Sequence, residues 1–287
     1  MKQNQSSITA QGIALIRAME SRKPADQRIC YDPLARSFVN PLLLLFGPFL
    51  TWYGARRSPG VGEYLVARTR YFDDTIASYL HQGMQQLVIL GAGYDSRAYR
   101  LEALKSLKQI FEVDHPATQV VKLKRLQQIG VTAPVNVIYV PIDFMTEQLD
   151  KLFNYGYQSN LLTLFVWEGV TYYLSAQAVD QMLAFVRQSA RPGSAIIFDY
   201  GYAEALTSVH PRAEVASMRR YRWLTGENLV FGIPEGTIEP FLTQRGFTEV
   251  TNVTHIDLER LYFQGKTSAR QIAPAYAIVS ARISRNV

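Results

Sequence analysis

Five short apolar runs, set between helical stretches over residues 85–200, constrain this chain more than any other feature. They fall at 85–90, 110–114, 135–140, 161–167 and 195–200. Runs this short and this apolar fit strands buried on both faces, the condition of a parallel sheet covered by helices. The intervening stretches agree. A short helix begins near Asp95, residues 117–129 carry Val120, Val121, Leu123 and Leu126 at helical spacing, and 175–190 precedes the fifth run. The class predicted is α/β, with helices on both faces of the sheet.

The flanks complete the plan. Residues 7–82 read as helical, with Leu65, Thr69, Phe72, Ile76 and Tyr79 on one face and Gly83 closing the last helix. After Tyr200 the alternation lapses, so residues 201–234 form an insertion over the sheet edge, placed to act as a substrate lid. A helix over 235–245 and strands over 247–253 and 275–282 follow. One domain is expected over 1–287: a helical cover (1–82), a ligand-binding core (83–200), the lid (201–234) and the end of the sheet (235–287).

Composition narrows the functions open to such a domain. The net charge is +6, but Lys and Arg are scattered, and no basic stripe points to nucleic acid. Cys30 is the single cysteine, and His81, His115, His210 and His255 are not spaced as metal ligands. The N-terminus lacks the apolar core of a signal peptide, and the most apolar run, residues 42–53, is too short to cross a bilayer. A cytoplasmic protein without a membrane span is expected. The run 42–53 is either buried core or the apolar mouth of a substrate pocket.

Parallel sheets bind ligands beyond the carboxyl ends of their strands, so the residues just past each run carry the functional signal. The first run ends in Gly91-Ala92-Gly93-Tyr94-Asp95-Ser96. Gly91 and Gly93 let the backbone turn and let a ligand approach closely. The third glycine of the dinucleotide fingerprint is replaced by Ser96, and Asp95 stands where that fingerprint seats a pyrophosphate. A carboxylate there repels phosphate by about 4 kcal/mol at 4 Å and intermediate dielectric. It suits S-adenosylmethionine, which carries an ammonium and a sulfonium; as a plain helix cap, Asp95 has a second and compatible role. Asp114 ends the second run 21 positions after Gly93, at the distance of a ribose-binding carboxylate. Asp143-Phe144 follows the third, either reading adenine or making a turn. Glu168 follows the fourth, within reach of the cofactor ammonium.

Taken in order, Asp32-Pro33-Leu34-Ala35, Arg68-Thr69-Arg70, Leu90 through Arg97, Glu112 through Pro116, Pro141 through Phe144 and Trp167 through Leu174 resemble the leucine carboxyl methyltransferase family, including its bacterial O-methyltransferase branch. The resemblance implies a class I methyltransferase (Rossmann-like) fold of seven strands, the last antiparallel. It implies Arg68 on the cofactor carboxylate, Arg17 as a second basic contact, and Gly91 and Gly93 under the methionine portion. Asp114 is then at the ribose, Asp143 and Phe144 at the adenine, and Glu168 at the ammonium, while Asp32 ties down the cover. Arg70, some 200° round the helix from Arg68, serves another surface.

The function expected is transfer of a methyl group from S-adenosylmethionine to a hydroxyl or carboxyl of a small molecule such as a polyketide or peptide natural product, leaving S-adenosylhomocysteine. Methylation of a protein C-terminal carboxyl and cofactor binding without catalysis are the alternatives. A hydroxyl acceptor calls for a general base, for which His210 is the candidate; the other reading of His210 is a solvated loop histidine.

Overall fold

The computed structural model describes residues 8–144, 146–206, 229–265 and 270–284. Seven strands form one sheet in the order β3-β2-β1-β4-β5-β7-β6. They are β1 Gln86–Leu90, β2 Gln109–Asp114, β3 Val137–Pro141, β4 Thr163–Trp167, β5 Ala195–Gly201, β6 Phe247–Val253 and β7 Tyr276–Ile283. The first five pair in parallel, and β7 runs antiparallel between β5 and β6. The chain order reverses at β1, which has β2 on one side and β4 on the other, and this opens a crevice at the carboxyl ends of β1 and β4.

The alternating side chains of β1 divide the core. Val88 and Leu90 join a cluster with Val179, Leu183 and Val186 of helix α8, Ala176–Ser189. Leu87 and Ile89 face the other way, to a cluster with Ala67, Phe72 and Ile76 of α4, Val61–His81. The N-terminal cover thus supplies one face of the sheet through α4. The rest of the cover is α1, Ile8–Ser21, a 3-10 turn at Ala35–Phe38, α2, Pro41–Leu45, and α3, Gly47–Arg57. Helices α5, Arg97–Arg100, α6, Pro116–Gln128, and α7, Lys151–Asn154, connect the parallel strands.

Two expectations change. The run 42–53 is not core. It forms α2 and most of α3 and turns outward, leaving Leu42, Leu45, Phe46, Phe49 and Trp52 between 52% and 72% exposed. Gly47 is the buried point of the pair, seated against Met19 and Leu15 of α1, with Leu44 and Leu50 half-buried beside it and the other large side chains exposed. The second change is a helix at His255–Tyr262 where none is predicted; Thr254 and Asp257 open it with a capping box. Of residues 201–234, expected to form a lid, 207–228 lie outside the described residues, and with them His210.

A candidate cofactor and acceptor site

The crevice is built by loops that leave the sheet at adjacent strand ends. Gly91 ends β1 at φ +71°, and a Cβ there would stand 2.4 Å from Cγ2 of Val170, so this glycine is required by the loop that follows β4. Gly93, at φ +41°, has a different setting. A Cβ there would meet nothing nearer than 3.8 Å, and beneath it the Asp114 carboxylate accepts the Gly93 N–H. The same carboxylate accepts the His115 N–H at 2.6 Å. Burial pushes the Asp114 carboxyl above its ordinary pKa, and the two N–H donors oppose that push.

Asp143 and Phe144 follow β3 beside this carboxylate. The Ile142 N–H donates to the Asp114 carbonyl at 2.9 Å, the His115 ring lies 3.9 Å from Asp143 Oδ2, and the Phe144 ring packs on the core. A carboxylate beneath a glycine turn, with a further carboxylate and a ring alongside, offers the acceptors and the apolar face that a nucleoside calls for.

Two buried arginines organise the other half of the site. Arg68, 2% exposed in the middle of α4, donates from Nε to Glu168 at 2.9 Å and from Nη1 to Asp199 at 2.6 Å and to the Tyr172 hydroxyl at 3.0 Å. Its Nη2 has no partner among the described residues and stands 3.4 Å from where a Cβ on Gly169 would be. With Nε and Nη1 engaged, one N–H edge remains for a ligand carboxylate, rather than the paired edge that a free guanidinium presents. Arg97 bridges Asp73 at 2.6 Å, Asp95 at 2.6 Å and Glu168 at 2.7 Å, and also donates to the Thr69 carbonyl of α4. Glu168 therefore joins the two guanidiniums. Burial opposes its charge, and Arg97 and Arg68 more than offset this, holding its pKa below the ordinary range. For Asp95, burial is likewise outweighed by Arg97 and Lys122, and its pKa falls to about 2. Both carboxylates are anionic at neutral pH, as a cationic ligand group requires.

Arg17 lies farther out. From α1 it donates to the Tyr94 carbonyl at 2.6 Å and pairs with Asp32 at 3.1 Å, while Asp32 accepts the Leu34 and Ala35 N–H groups. It reaches the glycine loop through that loop's backbone. Arg70 is exposed and pairs with Asp74 along α4, facing away from Arg68.

Sequence reasoning left three of these residues without a role: Arg97, Tyr64 and Asp199. Asp199 is fully buried in β5, accepting from Arg68, Tyr172, Tyr64 and the Gly169 N–H. A lone carboxylate in the apolar run 195–200 was the available signal, because a buried charge demands partners. Burial, reinforced by the Asp199 charge, lifts the Tyr64 and Tyr172 hydroxyls well above their ordinary pKa, so both are protonated.

A cavity of about 600 Å³ adjoins this centre. Arg68, Gly169, Tyr172, Tyr173 and Tyr276 line it together with mostly apolar side chains of α1, α3 and α4. Gly169 belongs to its wall, and the next residue, Val170, packs on Gly91, so cavity and glycine loop are separated by one loop. Among the described residues there is no group of His, Cys, Asp and Glu that could hold a metal ion, and no helix is long and apolar enough to cross a membrane.

The strand order, the antiparallel β7 and the glycine loop facing an acidic β2 tip define a class I methyltransferase fold. Solved structures agree on the fold. A methyltransferase-type protein from Thermobifida fusca superposes with a TM-score of 0.62 over 99% of this chain and 97% of that one, at 15% identity. A DUF574 family protein from Streptomyces avermitilis gives 0.63 over 97% and 98%, at 13% identity. The family model described as leucine carboxyl methyltransferase matches residues 10–187, and the chain belongs to that family. Among curated relatives, YktD of Bacillus subtilis, provisionally named as an S-adenosyl-L-methionine-dependent methyltransferase, is 31% identical over 70% of this chain and 66% of its own length. FRAAL3836 of Frankia alni, named in the same way, is 34% identical over 67% and 68%. The chain spans about two thirds of the length of the curated relatives it matches. S-adenosylmethionine is the cofactor of this family, and the residues present fit it: a Cβ at Gly93 would make only ordinary contacts, and Asp95 and Glu168 beside the glycine loop are anionic, which suits a cationic ligand.

Proposed function

We propose that the protein transfers a methyl group from S-adenosylmethionine to an oxygen atom of a small, largely apolar molecule held in the cavity beside Arg68. The cavity carries this reading. Its volume falls in the range of sites that enclose a drug-sized ligand, and its wall is apolar with few polar groups, a lining suited to a small molecule.

In this reading Arg68 Nη2 takes the cofactor carboxylate, Glu168 and Asp95 face the ammonium, Gly93 leaves room for the chain, Asp114 accepts from the ribose, and Asp143 and Phe144 border the adenine. Arg17 acts at one remove, by fixing the Tyr94 carbonyl and hence the loop. The cofactor supplies a methyl group already activated on sulfur, so the residues around it serve to position and to exclude water. Tyr172, protonated and held by Arg68 and Asp199, fixes the cavity wall next to Gly169. A carboxylate acceptor needs no base; for a hydroxyl acceptor His210 stays the candidate.

Titration calorimetry with S-adenosylmethionine, followed by mass detection of methylated products from a panel of small hydroxyl and carboxyl compounds, tests the proposal. Peptides with free C-termini form the comparison arm, because the family's name points to protein carboxyl groups. Methylated small molecules are expected. Turnover restricted to the peptides would overturn the acceptor class, and failure to bind S-adenosylmethionine would overturn the whole reading.

A further inference from the structure

The outward face of α2 and α3 is the least explained surface of the molecule. Leu42, Leu43, Leu45, Phe46, Phe49, Trp52 and Tyr53 account for seven of the sixteen exposed large apolar side chains among the described residues, within twelve positions. A patch this concentrated marks an interaction site rather than the usual scatter of surface apolar groups. Its rings are gathered: Phe49 lies 5.9 Å from Trp52 and 6.2 Å from Tyr53. Its charge is one-signed. The Arg56 guanidinium sits 4.5 Å over Trp52 and that of Arg57 5.2 Å over Tyr53. Between Asp32 and Glu63 the sequence holds three arginines and no acidic residue.

From this geometry we infer that α2 and α3 bind the surface of an anionic lipid bilayer, lying in the plane of its interface. Leucine and phenylalanine supply the apolar face that enters the acyl boundary. Trp52 and Tyr53 are amphipathic rings suited to the headgroup level, and the two arginines meet lipid phosphates. Helix α3, at 1.5 Å per residue, is about 16 Å long, which suits lying on a membrane and excludes crossing one. A second copy of the chain fits the same face less well. Isologous pairing would bring two Arg56–Arg57 pairs together with no carboxylate from this segment to neutralise them. Trp52 also belongs to the cavity wall, so the cavity opens beside the surface assigned to the bilayer. The inference does not depend on methyl transfer, since a protein without activity would bind lipid through the same face.

Co-sedimentation of the intact protein with vesicles tests it. Vesicles of phosphatidylglycerol and phosphatidylcholine in equal parts are compared with pure phosphatidylcholine, at low and high salt. Binding to the anionic vesicles, weakened by salt, with a blue shift of tryptophan emission, is expected. With Trp223 replaced by Phe in both proteins, Trp52→Phe should keep the binding and lose the shift, because the remaining Trp167 is buried. The double variants Leu45→Ser with Phe49→Ser, and Arg56→Glu with Arg57→Glu, should each lower the partition coefficient by about tenfold or more. All four side chains are exposed and outside the cavity lining, so thermal midpoint and cofactor titration should be unchanged and report an intact fold. The inference is overturned if the wild type ignores anionic vesicles, or if both variants bind like the wild type. A wild-type dimer that Phe49→Ser dissociates, with no vesicle binding, would reassign the face to self-association.

Discussion

Arg97 shows how one side chain can serve both stability and the site. It sits 2% exposed among Asp73, Asp95 and Glu168 and pairs with all three. Removing Arg97 leaves Asp95 without its ion pair, though Arg100 still holds Asp73 and Arg68 still holds Glu168, and breaking such a buried cluster costs about 3–5 kcal/mol. Arg97→Met should therefore lower unfolding free energy by about that amount in urea titration; a loss under about 1 kcal/mol would mean the cluster is hydrated and weak. Asp95 extends the argument to pH. Its pKa of about 2 in the folded protein lies below the ordinary 3.8, because Arg97 and Lys122 outweigh burial. The charged form thus stabilises the fold above about pH 4, by about 2 kcal/mol, and that contribution is lost as pH falls through about 2. Asp95→Asn should remove this part of the acid transition. Asp114 is the residue-scale test of the cofactor site. Asp114→Ala should weaken S-adenosylmethionine binding by about 1.5–3 kcal/mol in calorimetry, and wild-type affinity would rule out the ribose assignment.

At the scale of elements, the junction of β1 with its loop is the point under most constraint. Gly91 has positive φ and no room for a Cβ against Val170, so Gly91→Ala combines backbone strain with a clash. A loss of about 2–4 kcal/mol is expected, and adding Val170→Ala should recover the steric part but not the conformational part. A double-mutant cycle on thermal unfolding separates the two; purely additive effects would mean the loop moves aside.

The strands were legible in the sequence to within one or two residues because a parallel strand buried on both faces must be apolar throughout, and five of them recur. The residues after each strand were legible for a related reason: polar groups at the edge of so apolar a sheet have few structural uses. The side-chain partners were not. That Arg68 spends two of its three nitrogens on Glu168 and Asp199 depends on α4 crossing the ends of β4 and β5, 100 and 131 positions away. Of the two readings of residues 42–53, buried core fails, while Leu50 and Trp52 do line the cavity. Apolarity there is largely uncoupled from burial, since Gly47, Leu44 and Leu50 make the docking contact and the other large side chains face outward. The helix at His255–Tyr262 escaped because its signal is a cap of two residues, Thr254 and Asp257, rather than a long apolar period.

For the molecule as a whole, the decisive relation is between the helical cover and the glycine loop. Arg17 of α1 holds the Tyr94 carbonyl, the Tyr94 ring stacks on Phe38 at 5.1 Å, and Arg125 of α6 reaches the Phe38 carbonyl. The cover thus grips the glycine loop to which the proposed function assigns the cofactor, and ordering the loop should order the cover. Saturating S-adenosylmethionine at 100 times its dissociation constant adds about 2.7 kcal/mol of stability, which should raise the thermal midpoint by about 4–5 °C. The coupling adds a spatial expectation: amides of Ile8–Ser21 and of residues 35–38 should gain exchange protection along with those near Gly93. Phe38→Ala removes the stacked ring but leaves Arg17 on the Tyr94 carbonyl, so in that variant the loop and α1 should still respond to cofactor while residues 35–38 do not. If the cover of the wild type exchanges at the same rate with and without cofactor, the two parts are joined mechanically but not energetically, and access to the cavity is set by the cover alone.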